Sequence, residues 1–74
     1  MNTLTVDDRK LVVDLMLRIL DEVDPEGHHF GAVKPGEALA LAEDNHFDVA
    51  FLDVEMPGEI NGLELGRQLR KRYP

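Results

Sequence analysis

An α/β fold built on a parallel sheet is what the sequence predicts, and three observations carry that prediction. Apolar segments of strand length alternate with amphipathic segments of helix length in the order βαβαβα. Val49-Ala50-Phe51-Leu52 is an uninterrupted apolar run, the pattern of a strand covered on both faces of a parallel sheet. Acidic residues follow two of the strands, Asp7-Asp8 the first and Asp53 the third. Ligands of open parallel sheets bind beyond those carboxyl ends.

Taken in order, the first strand is Asn2 to Val6, β-branched and apolar, and it stops at Asp7-Asp8. A helix follows from Leu11 to Val23, where Val12, Met16, Ile19 and Val23 recur at spacings of four, three and four and so share one face. Asp24-Pro25-Glu26-Gly27 breaks it, because proline cannot continue a helix and glycine accepts the turn. The second strand runs from His28 to Val33. Pro35-Gly36-Glu37 opens the second helix, with an acid in its first turn and Ala38, Leu39, Leu41 and Ala42 as its apolar face, and Asp44-Asn45-His46 ends it. After the third strand, Val49 to Leu52, Asn61 is a favourable N-cap for a helix from Gly62 to Arg72. Gly66 inside that helix costs about 1 kcal/mol relative to alanine, so the helix depends on packing.

A chain of 74 residues buries only about 60% of the surface its unfolded form exposes, so the apolar 43% must be used almost fully or a partner must add buried surface. With no cysteine there is no disulfide, thiolate zinc site or thiol nucleophile, which fits a cytoplasmic setting. No segment approaches the roughly 18 apolar residues of a membrane span, and the first residues lack the pattern of a secretory signal. Fifteen acidic against 8 basic residues give a net charge of −7, which works against nucleic-acid contact by this segment. The basic group Arg67, Arg70, Lys71 and Arg72 reads as cations complementing a helix dipole. His28, His29 and His46 have no spacing that makes a metal site, and Phe30 and Met16 read as core. Phe47 is expected to pack under a loop, and Lys10 and Lys34 are cations within reach of the acidic rim that sequence alone does not place.

Neighbouring parallel strands would bring Asp7, Asp8 and Asp53 to one rim, where three carboxylates repel unless they bind a cation or hold protons. Carboxylate oxygens suit a hard cation such as Mg2+. The plainer alternative is that Asp7-Asp8 only caps the first helix and Asp53 only ends a strand.

Leu4-Thr5-Val6-Asp7-Asp8, Phe51-Leu52-Asp53, Met56-Pro57-Gly58 and Asn61-Gly62-Leu63-Glu64-Leu65, in this order and spacing, resemble the receiver domain of two-component response regulators. Gly36-Glu37-Ala38-Leu39 extends the resemblance over the whole chain. The run from Asp48 to Gly58 most resembles receivers that precede DNA-binding output domains of the LytTR kind. The resemblance implies a flavodoxin-like (CheY-like) sheet with the three strands in the order 2-1-3. It also implies that Asp53 accepts a phosphoryl group from a sensor histidine kinase. The implied Mg2+ ligands are Asp8 and Asp53 directly, the backbone carbonyl of Glu55, and Asp7 through water.

Four departures accompany it. Arg9 stands where an acid commonly follows the Asp pair, the loop Met56 to Gly62 is one residue longer than the commonest form, and Gly66 replaces a usual alanine. The chain also ends at Pro74, ahead of the family's last two strands and helices, which bear a hydroxyl residue and a lysine. Residues 1–74 are therefore expected to be a partial receiver domain, an excerpt of a longer regulator, controlling an output that is transcriptional. It is not expected to be an enzyme. Asp53-Val54-Glu55 superficially resembles the nucleophile loop of haloacid-dehalogenase phosphatases, but that family wants an aspartate where Glu55 stands. The alternative is a phosphate-independent interaction module, and the open third strand makes a homodimer the expected assembly.

Overall fold

The computed structural model describes residues 1–53 and 61–72, and the elements come in the expected order. They are β1 (Asn2–Val6), α1 (Lys10–Val23), β2 (His28–Ala32), α2 (Pro35–Asp44), β3 (Val49–Leu52) and α3 (Gly62–Arg72). The strands form one parallel sheet in the order β2-β1-β3. From β1 the chain steps to one side for β2 and to the far side for β3. Right-handed crossovers then require α1 and α2 on opposite faces.

The central strand shows those two faces by alternation. Leu4 and Val6, both fully buried, meet Ala38 and Ala42 of α2, Leu65 and Leu69 of α3, Ala32 and Phe47 in one apolar cluster. The spacing of four in each helical pair puts both residues on one face. Phe47 is thus a core residue rather than a loop support, set edge-on to Phe30 with ring centroids 5.5 Å apart. On the other face Thr3 and Thr5 are buried. Thr3 Oγ1 lies 2.7 Å from His29 Nδ1, and His29 Nε2 lies 2.9 Å from the Asp24 carbonyl.

Helix α1 docks on β2 through Val13, Leu17 and Leu20, not through the stripe its periodicity marks. Val12 and Met16 are half-buried, whereas Ile19 and Val23 are 46% and 72% exposed, as are Leu11 and Leu15 at 84% and 57%. The apolar arc of α1 is wide enough to hold two stripes, opposite the polar face of Asp14, Arg18, Asp21 and Glu22, and Gly31 favours one of them. A Cβ at Gly31 would collide with Val13 Cγ1 and lie 3.1 Å from Leu17 Cδ1, so the bare backbone is what lets α1 settle there.

One expected boundary also moves. β2 stops at Ala32 because the Val33 N–H is taken by Glu37 Oε1 at 3.0 Å, leaving the ladder to help start α2. β3 carries the apolar run of a covered strand but is the open edge expected of the order 2-1-3, with Ala50 and Phe51 exposed. Asn61 caps α3 as expected, its Oδ1 accepting from the Glu64 N–H at 3.0 Å. Among the described residues no helix is long and apolar enough to cross a membrane.

Candidate functional site

The ladder register places the acidic residues. Val6 pairs with Leu52, and the Asp53 N–H donates to the Val6 carbonyl at 2.9 Å, carrying the pairing one residue past β3. On the other side the Asp7 N–H donates to the Ala32 carbonyl at 3.2 Å. Asp7 and Asp53 therefore leave adjacent parallel strands side by side. They sit where the connections diverge from β1 to opposite faces, the crevice in which open α/β sheets bind ligands.

Oxygens of Asp7, Asp8 and Asp53, one from each, all lie within 4.8 Å of one another. Ligands of an octahedral Mg2+ stand about 3 Å apart when adjacent and about 4.2 Å when opposite, so the cluster is of a size to surround one such ion, directly or through bound water. Burial grades across the cluster, with Asp7 buried, Asp53 intermediate and Asp8 exposed. The donor set is all hard oxygen, and it fits that cation.

Helix α1 begins at Lys10, and its N-cap residue, Arg9, makes no side-chain cap. Asp7 instead closes a tight turn, its Oδ1 accepting the Arg9 N–H at 2.9 Å. The Asp pair is thus not merely a helix cap. Arg9 then folds its guanidinium back on Asp7, Nε donating to Oδ1 and Nη2 to Oδ2, each at 3.2 Å. These side-chain hydrogen bonds hold Asp7 below the ordinary carboxylate value of 3.8, against the desolvation that burial imposes. Asp8 shifts the opposite way. Partial desolvation raises it above 3.8, and the neighbouring Asp7 and Asp53 add to the shift.

All three carboxylates predicted from sequence converge, whereas Glu55 lies outside the described residues. Lys10 does not join the rim, since it pairs with Asp14 at 3.0 Å across one helical turn. What the sequence reading missed was the forked grip of Arg9. Its signal was the Asp-x-Arg spacing, which lets one aspartate accept both the backbone and the side chain of the residue two positions on.

Beside the rim, Thr5, Val12, Met16, Phe51 and Leu52 line a mostly apolar hollow of about 190 Å3 between α1 and β3.

Known proteins share this fold. The chain is 36% identical over 69 residues to a stress response regulator protein of Debaryomyces hansenii, spanning 93% of this chain and 28% of that protein. It superposes on the response regulator TrrA of Thermotoga maritima, solved in complex with Mg2+–BeF, with a TM-score of 0.82 at 33% identity over 97% of this chain and 60% of that one. The chemotaxis protein CheY4 of Vibrio cholerae gives 0.84 at 31%, over 97% and 59% respectively. The response regulator receiver domain profile matches residues 3–74, and the chain belongs to that family.

Proposed function

We propose that Asp53 is the phosphoacceptor of a two-component receiver and that Asp8 and Asp53, with Asp7 acting through water, hold Mg2+ beside it. The observation that carries this reading is the meeting of the three carboxylates at the β1/β3 rim. A carboxylate oxygen of Asp53 attacks the phosphorus of a kinase phosphohistidine. The new P–O bond forms as the P–N bond breaks, and the imidazole keeps the electron pair and takes up a proton. When bound, Mg2+ would neutralise charge on the phosphoryl oxygens, which carboxylates alone would repel. The backbone carbonyl of Glu55 is the third protein ligand that the family resemblance adds. That the similar TrrA was solved in complex with Mg2+–BeF supports Mg2+ as the cation.

The donor is a sensor histidine kinase. Residues 1–74 act as the acceptor and metal-holding part of a receiver, and the output they control is transcriptional, of the LytTR kind that the run from Asp48 to Gly58 resembles. The test is incubation of the chain with a small acyl phosphate and Mg2+, followed by intact mass measurement of wild type and D53N. One phosphoryl group on wild type and none on D53N is expected. Equal labelling of both removes Asp53 from the role, and no labelling of either favours a phosphate-independent interaction module.

A further inference from the structure

Arg9 occupies both oxygens of Asp7, and Asp7 supplies one of the three oxygens that converge at the rim. A cation entering there meets a carboxylate on which Arg9 already takes both lone-pair sites of one oxygen and one of the other, with a positive charge held beside them. The two partners differ in commitment. The Asp7 side chain is 10% exposed and fixed by its turn, whereas the Arg9 side chain is 67% exposed, so the guanidinium can swing into water at little cost. The backbone bond from Arg9 N to Asp7 Oδ1 does not depend on that movement, so the carboxylate keeps its place when the fork opens.

We propose that Arg9 is a built-in counter-ion of the acidic rim that exchanges with the divalent cation, holding Asp7 when the cation is absent and releasing it when the cation enters. Arg9 thereby sets the cation concentration at which the site fills. This rests on the metal-holding role given to Asp7, Asp8 and Asp53. Without the guanidinium, Asp7 would lose the cation that now holds both of its oxygens. With it, the rim is partly neutralised but costlier to fill. A unit positive charge roughly 6 Å from a divalent cation weakens binding about tenfold even at the dielectric of water.

The experiment is Mg2+ titration of the 74-residue chain by calorimetry, with backbone amide and arginine Nε–H resonances followed by NMR, for wild type, R9Q and R9K. R9Q should bind Mg2+ about tenfold more tightly than wild type, the loss of one unit charge. R9K, which keeps the charge but lacks the planar fork, should fall between them. In wild type the Arg9 Nε–H resonance should move with the same midpoint as the Asp8 and Asp53 amides. Equal affinity of wild type and R9Q, or an Arg9 resonance unmoved at saturation, overturns the exchange while leaving the metal site intact. No Mg2+ binding by any of the three overturns the site and the exchange together. If R9Q does not fold, the comparison of wild type with R9K and the Nε–H resonance decide the matter.

Discussion

Asp7 and Asp8 are consecutive residues at one rim, yet their protonation is pushed in opposite directions by what each touches. Asp7 is lowered by hydrogen bonds from Arg9, so its contribution to stability is present above 3.8 and is lost as pH falls through its depressed folded value. Asp8 is raised, so its ionised form is disfavoured by folding. That penalty is full above the raised folded value and absent below 3.8. D8N should therefore be more stable than wild type at neutral pH, and the difference should vanish once the pH is below 3.8. Urea denaturation at a series of pH values checks this, and a D8N protein less stable than wild type at neutral pH contradicts the penalty that desolvation, with Asp7 and Asp53 beside it, places on ionised Asp8. The carboxylates themselves were legible from sequence, because strand ends and acid positions fix them. The fork from Arg9 was not, since a charge count records its sign and not its geometry.

At the scale of elements, two glycines make opposite predictions. Gly31 is where α1 lies against β2, and an added methyl group would overlap Val13 with Leu17 close behind. G31A should cost about 1–3 kcal/mol, the usual penalty of overpacking, as read by chemical denaturation. Gly66 sits in α3, where a Cβ would meet, among the described residues, only Leu52 Cδ1 at 3.4 Å. G66A should therefore approach the helix-propensity gain of about 1 kcal/mol. Equal effects of the two substitutions would show that neither contact has been read correctly. Strand and helix order followed directly from periodicity and punctuation. The docking face of α1 did not, because Leu11, Val12, Val13, Leu15, Met16, Leu17, Ile19, Leu20 and Val23 leave more than one apolar stripe. A glycine in the partner strand chose among them, a long-range fact that no window of the helix contains.

For the whole molecule, the main apolar cluster lies on the α2/α3 face of the sheet, while α1 leaves Leu11, Leu15, Ile19 and Val23 exposed. The edge of β3 away from β1 has no strand partner among the described residues, and Phe51 on it is 38% exposed. An open strand edge beside exposed apolar side chains favours association. The 74-residue chain is expected to self-associate, most simply as a two-fold dimer joined near β3. Sedimentation equilibrium with denaturation at several concentrations checks it: a midpoint that rises with concentration is expected, and a monomer with a concentration-independent midpoint contradicts it. The central claim, that the β1/β3 rim exists to place a phosphoryl group on one carboxylate, has a more direct test. Reaction with acyl phosphate and Mg2+, then borohydride reduction, converts a phosphorylated aspartate to homoserine that peptide mass spectrometry can locate. Homoserine at position 53 alone is expected. Homoserine at Asp7, Asp8 or Asp48, with Asp53 unmodified, would contradict it.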